Sequence, residues 1–287
     1  GAFILFLAIY AVTKLIGVGQ TESDVTIGKD FGVLLNPLET GFESSSSTKL
    51  TMPAETRVYA RCEESGNFGR QIIQVSEKNF NKWTKTNIDV GFENKYIFSE
   101  AIPEGKDFYV FSKPFEFPFK VSDLIYLTST KKRYCFSNAP EEIEQEINNT
   151  GQENFACQGC KYKCKENDMK VCFSGNCDIK VNYREGYVEK SGNRSYFKGN
   201  ALMYAAIFSS PDIYRCQLKR LMKRTSQLAS IYSEKAIFIS DKCNSDLNLI
   251  GLSSSANSLQ SSLDLNSISS IVQDIKDKND NSICRLW

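Results

Sequence analysis

Ten cysteines, five of them packed between residues 157 and 177, constrain this 287-residue chain more than any other feature. They are Cys62, Cys135, Cys157, Cys160, Cys164, Cys172, Cys177, Cys216, Cys243 and Cys284. An even, high cysteine count suggests a disulfide framework formed in an oxidising compartment. The segment that holds five of them is rich in Lys and Gly and can bury little core. Cross-links worth about 2–4 kcal/mol each would supply the missing stability. Spacing leaves the connectivity open. A bridge Cys172–Cys177 across a turn fits, and one of Cys216, Cys243 and Cys284 could staple the C-terminus. Two alternatives compete with the framework. Cys157-x2-Cys160, with Cys172 and Cys177, could hold zinc through four thiolates, although the second pair is loosely spaced and Cys164 is left over. Cys157 and Cys160 could also form a redox pair, but no βαβ pattern is visible around them.

The chain has no histidine, which removes Ser-His-Asp and Cys-His nucleophiles, His-ligated zinc and His-held haem. Its formal charge of +1 gives no compositional reason to expect nucleic acid or an acidic partner. Phosphate-loop and dinucleotide fingerprints are absent. Ser46-x-x-Lys49 and Ser129-x-x-Lys132 match a Ser-Lys spacing without its companion motifs. Asp274, Asp277 and Asp280 are close together but lack the glycine of a calcium loop. The reading therefore assigns no catalytic residue, no metal and no cofactor.

The N-terminus is apolar. Gly1–Val12 carries no polar group except the Tyr10 hydroxyl, and Phe3, Ile4, Leu5, Phe6, Leu7, Ile9, Val12, Leu15 and Ile16 would form a membrane or filament helix. Twelve helical residues cover about 18 Å, whereas a bilayer core needs about 20 residues. Either the helix continues upstream into a membrane, or it is a processed pilin-type helix packing against its copies. A buried helix or residual signal segment is the plainest alternative. Gly17 and Gly19 then end the helix, and Lys14 can snorkel.

The remainder reads as α+β: an N-terminal hydrophobic helix (1–19), an antiparallel β-rich domain (20–149), a small Cys-rich module (150–199) and C-terminal amphipathic helices (200–287). Within 49–136 many short strands alternate apolar with polar residues, which suggests a sandwich or an open antiparallel sheet. Phe115, Phe117 and Phe119 would share one face of a strand 115–121. Pro114 and Pro118 place that strand at a sheet edge. Asn138 or Ser137 would cap a short helix over 140–148. A hairpin is expected around Ser191-Gly192-Asn193. A long helix should start at Pro211, with Tyr214, Leu218, Leu221, Thr225, Leu228 and Tyr232 on its buried face. The last helix carries Ile268, Ile271, Val272 and Ile275. Asn148 and Asn193 begin glycosylation sequons. Arg215, Lys219, Arg220, Lys223 and Arg224 form a basic cluster that could bind polyanions, or form the solvated face of the helix.

Several stretches resemble a family of uncharacterised membrane proteins from small-genome archaea. They are Leu34–Thr40, Thr51–Arg57, Phe68–Val75, Phe111–Phe119, Ala201–Phe208 and Cys216–Arg224. The resemblance covers most of the chain and implies a short basic segment and a longer apolar run upstream, similar to a prepilin leader. It carries no activity and no residue roles. Against pilins of the bacterial type the chain departs, with Gly1 where they have Phe and Leu5 where they have Glu.

These features predict a non-enzymatic extracytoplasmic protein at the cell surface. It would be held by its N-terminal helix, through membrane lipid or copies of itself, as a pilin-like homo-oligomeric subunit. A monomeric tethered binding module for peptide or glycan, using the edge near Phe115–Phe119 or the basic helix, is the alternative. A Cys-centred zinc or thiol-redox protein is the third.

Overall fold

The computed structural model describes residues 47–79, 82–84, 89–243 and 247–287. The apolar helix expected over 1–19 and the connecting region up to residue 46 lie outside the described residues. Among the described residues no helix is long and apolar enough to cross a membrane. The fold is α+β, with two sheets and five α-helices among the described residues.

The first sheet is built from β1 (Ser47–Glu63), β2 (Arg70–Asn79), β3 (Lys82–Trp83), β4 (Val90–Phe92), β5 (Ile97–Phe98), β6 (Glu104–Glu116) and β7 (Lys120–Ser129). β2, β1, β6 and β7 run antiparallel in that spatial order. β4 pairs antiparallel with β2 at one end, and β5 pairs parallel with β7 at the other. Only residues 93–96 separate β4 from β5, so the two ends of the sheet meet and the sheet closes on itself. With β4 and β5 counted as one strand, this is the order of a five-stranded Greek-key barrel of the OB type. The sequence predicted a sandwich or an open sheet. Strand periodicity reports which residues face inward but not how the ends of a sheet connect.

Alternation places Leu50, Met52, Val58, Ile73, Val75, Ile97, Phe108, Val110, Ile125 and Leu127 in one apolar cluster, the barrel interior. A register break between Thr51 and Thr56 bends the 17-residue β1 around it. The outward residues of β6 and β7, among them Phe111, Phe115, Leu124 and Tyr126, are buried too, in a second core shared with the helices. Leu124–Leu127 is therefore buried on both faces, as its unbroken apolar run requires.

One strand expectation needs correction. Residues 115–121 do not form an edge strand. β6 ends at Glu116, the chain turns through a cis Phe117–Pro118 bond, and β7 starts at Lys120. β6 itself lies between β1 and β7. Pro114 stands opposite Asp123 of β7. Phe115, Phe117 and Phe119 are all buried, but they straddle the β6–β7 turn instead of sharing one strand face, and Pro118 is buried with them.

A tight turn leads from β7 into the second sheet: β8 (Tyr134–Ser137), β9 (Phe155–Cys157), β10 (Met169–Cys172), β11 (Ile179–Asn182), β12 (Tyr187–Lys190) and β13 (Asn193–Tyr196). The order is β13-β12-β11-β10-β8-β9, and the four strands from β11 to β9 are parallel. Helix α1 (Glu141–Asn149) joins β8 to β9. This is a βαβ unit ending at Cys157, where the sequence showed none. Its strands are only three to four residues long, too short to give a periodic signal. The predicted side-chain cap of α1 is absent, since Pro140 occupies the N-cap position. The β12–β13 hairpin forms as expected on a two-residue turn, with Ser191 (φ 50°) and Gly192 (φ 76°) both left-handed.

Helix α2 (Gly199–Phe208) is buried from Ala201 to Phe208 and packs against β6, β7 and β12. The ring of Phe208 stacks on Phe155 with centroids 5.0 Å apart and meets Tyr134 edge-on at 5.1 Å. Helix α3 (Pro211–Cys243) starts where predicted and buries Tyr214, Leu218, Leu221 and Thr225. Helices α4 (Ile250–Asn257) and α5 (Leu265–Asp280) follow, with α4 packed on α3. The Trp287 ring closes over Phe119 and Tyr232, covering the tip of the β6–β7 hairpin.

Candidate functional site

All ten cysteines are paired: Cys62–Cys216, Cys135–Cys164, Cys157–Cys160, Cys172–Cys177 and Cys243–Cys284. The expected Cys172–Cys177 bridge and a C-terminal staple are both present. The four-thiolate zinc alternative does not stand: Cys157 bonds Cys160 and Cys172 bonds Cys177, so none of the four is a free thiolate. The Cys157–Cys160 disulfide, at the end of the βαβ unit, is the oxidised form that a redox pair takes. Among the described residues no cluster of metal-ligating side chains occurs.

The basic cluster on α3 is divided: Arg215 is exposed, whereas the other four reach carbonyls or a carboxylate of the first sheet and its loops. Arg220 is fully buried. Its Nε donates to Phe68 O at 3.1 Å, Nη1 to Lys95 O at 2.9 Å and to Gln217 Oε1 at 2.7 Å, and Nη2 to Glu93 O at 2.8 Å. The guanidinium also lies 4.7 Å above the Tyr96 ring. Three of these partners belong to residues 93–96, the segment that closes the barrel. Burial pulls its pKa down to about 10, so Arg220 stays charged at neutral pH. Lys223 donates to the carbonyls of Glu64 and Gly66, Lys219 pairs with Glu64, and Arg224 donates to Val121 O. Arg215 pairs with Asp212. The helical face seen in sequence is real, but all its cations except Arg215 bond the barrel or its loops.

The other motifs separate in space. Ser129 Oγ donates to Glu104 O, while Lys132 pairs with Glu100. Asp274 pairs with Lys278 and Asp280 with Lys276. In the Phe115–Phe119 segment proposed as a docking edge, all three Phe rings are buried and Glu116 alone is exposed. Asn148 and Asn193 are both exposed. Asn148 Oδ1 accepts the Lys161 N–H at 2.8 Å, and Asn193 Nδ2 donates to Ser191 O at 3.3 Å.

The candidate site is a feature that the sequence did not reveal. A cavity of about 580 Å³ opens where the second sheet meets the barrel and the start of α3. Its wall includes Glu100, Lys132, Asp178, Lys180, Glu189, Lys190 and Ser210. Two smaller hollows continue it. One of about 370 Å³ shares Glu100 and Lys132, and one of about 260 Å³ shares Lys180 and Glu189. The first of these lies, like the cavity, on the groove between barrel and second sheet; the second is lined by the second sheet alone. In the cavity wall Lys190 donates to Ile207 O at 2.8 Å and Ser209 O at 3.1 Å, at the C-terminal end of α2. Burial, then the neighbouring Lys132, lower its pKa to about 8, with Glu100 opposing. The lining comes from residues far apart in the chain, each ordinary in its local context. The arrangement can hold a small polar ligand; it contains no nucleophile–base pair of the kind acyl transfer needs.

Compared with protein-family models, curated proteins and solved structures, the chain matches none of them.

Proposed function

We propose that this chain is a non-enzymatic extracytoplasmic surface protein, tethered or assembled through its N-terminal apolar segment, acting as a pilin-like structural or attachment subunit. The observation that carries this reading is the set of five disulfides, which together leave no free cysteine. Such a framework belongs to an oxidising compartment. The apolar run Gly1–Val12 supplies the means of attachment. Asn148 and Asn193 would carry glycans in that setting. Negative-stain imaging of native material tests the assembly: filaments or a lattice are expected, and uniformly dispersed monomers would sink the filament version. Surface proteolysis of intact cells tests the location; a protein degraded only after lysis would be inconsistent with it.

The groove favours a second reading, a tethered binding module whose ligand sits between the barrel and the second sheet. Here a chain beginning at Gln20 keeps its ligand. Loss of binding on removing residues 1–19 would count against this reading.

A further inference from the structure

Six charged side chains line the 580 Å³ cavity, three of each sign: Lys132, Lys180, Lys190, Glu100, Asp178 and Glu189. Four are engaged with protein charges. Lys132 pairs with Glu100, while Glu189 accepts from Arg194 at 3.0 Å and lies 3.8 Å from Lys180. Among the described residues, Lys190 and Asp178 have no opposite charge at ion-pair distance. An ammonium carries three N–H groups. Lys190 directs two to Ile207 O and Ser209 O, which fix the amine at the end of α2 and leave one donor over. Asp178 accepts the Lys170 N–H at 2.8 Å through Oδ2. Its other carboxylate oxygen is available.

We propose that this cavity binds a small zwitterion of the amino-acid or short-peptide class, with its carboxylate on Lys190 and its ammonium toward Asp178. The volume lies within the range of small-molecule sites. A cavity with one charge of each sign outside any ion pair favours a ligand that brings both. A dianion such as phosphate is disfavoured, because Glu100, Asp178 and Glu189 face the same space and Lys132 and Lys180 are already engaged. Lys190 binds the carboxylate as an ammonium, so affinity falls as pH rises above about 8, where its proton is lost. The proposal rests on the binding-module reading and names its ligand.

Equilibrium dialysis of the full chain against glycylglycine, N-acetylglycylglycine and inorganic phosphate tests it. Glycylglycine should saturate one site. Lys190→Met should weaken it about ten- to hundredfold, the worth of a charge-assisted hydrogen bond. Asp178→Asn should weaken it about tenfold, and blocking the ligand's amino group should do the same. The Asp178 side chain is exposed and the blocked ligand needs no mutation, so the test survives a misfolded Lys190 variant. Absence of saturation up to about 10 mM, full affinity for the blocked dipeptide, or tighter binding of phosphate would each overturn the proposal. A neutral oligosaccharide held in the groove would do so too, yet leave the binding-module reading standing.

Discussion

A single buried arginine shows how this barrel stays closed. Residues 93–96 cross from β4 to β5; the Tyr96 carbonyl accepts the Ile125 N–H of β7 at 3.0 Å, and Arg220 takes up the carbonyls of Glu93 and Lys95. Buried acceptors left unpaired cost about 1–3 kcal/mol each. Arg220→Met should therefore lower stability by about 3 kcal/mol or more, read as a fall in the urea midpoint. Arg220→Lys should recover little, because an ammonium cannot span the same fork of acceptors. A variant as stable as the parent would mean that water replaces the guanidinium. Gly69 guards the same place. Its φ is +59°, and a Cβ there would lie 2.3 Å from Glu63 O and 2.9 Å from Arg220 Cγ. Gly69→Ala should also destabilise, by at least about 1 kcal/mol, in the same measurement. At this scale the sequence showed which residues were charged and on which helix face. It could not show that Arg220 points inward, because all its acceptors but Gln217 Oε1 are backbone atoms more than a hundred residues away.

The elements differ in how much local pattern they carry. Helix α3 was legible because its buried face repeats every three to four residues. Helix α2 was not, because it is apolar all round and ten residues long, so it has no polar face to set a period. In the second sheet the segments 133–136, 170–173 and 178–183 read as strands, but their parallel pairing was hidden, because it depends on α1 folding back and on the three-residue β9. Cysteine spacing found the Cys172–Cys177 bridge but could not pair Cys62 with Cys216, 154 residues apart. These cross-links should differ in worth with the length of chain they close. In the loop-entropy model, Cys62–Cys216 is worth about 5 kcal/mol, Cys243–Cys284 about 4 and Cys157–Cys160 about 2. Paired Cys→Ser variants, compared by thermal unfolding, should follow that order. If the Cys157–Cys160 double variant proves the most damaging, packing at those buried sulfurs outweighs loop entropy. The candidate groove lies at the junction of several elements, so none of them announces it alone.

At the scale of the whole molecule, the aromatic core links stability to alkaline pH. Tyr126, Tyr134, Tyr204 and Tyr214 are buried, and desolvation raises the pKa of each phenol above its usual 10. Their hydroxyls are hydrogen-bonded where that is needed: Tyr126 donates to Ala201 O at 2.7 Å and Tyr204 to Glu146 Oε2 at 2.7 Å. In the unfolded chain these phenols ionise near pH 10. In the folded chain they stay protonated, so above that pH the folded state holds more protons and stability falls as pH rises. Four such groups give a slope of about 5 kcal/mol per pH unit once the unfolded phenols have ionised. Lys190 acts in the opposite sense. Its proton affinity is lowered in the fold, so it adds stability between about pH 8 and 10.5. One lysine cannot offset four phenols, and a domain with the usual margin of about 5–15 kcal/mol should unfold within one to three pH units above 10. Absorbance at 295 nm should then show two populations among the 13 tyrosines: one that ionises near pH 10 while near-ultraviolet dichroism remains native, and one that ionises only as the dichroism collapses. A single titration of all 13 near pH 10, with the dichroism intact, would mean that water reaches these rings and that the core joining barrel, helices and second sheet is looser than its burial indicates.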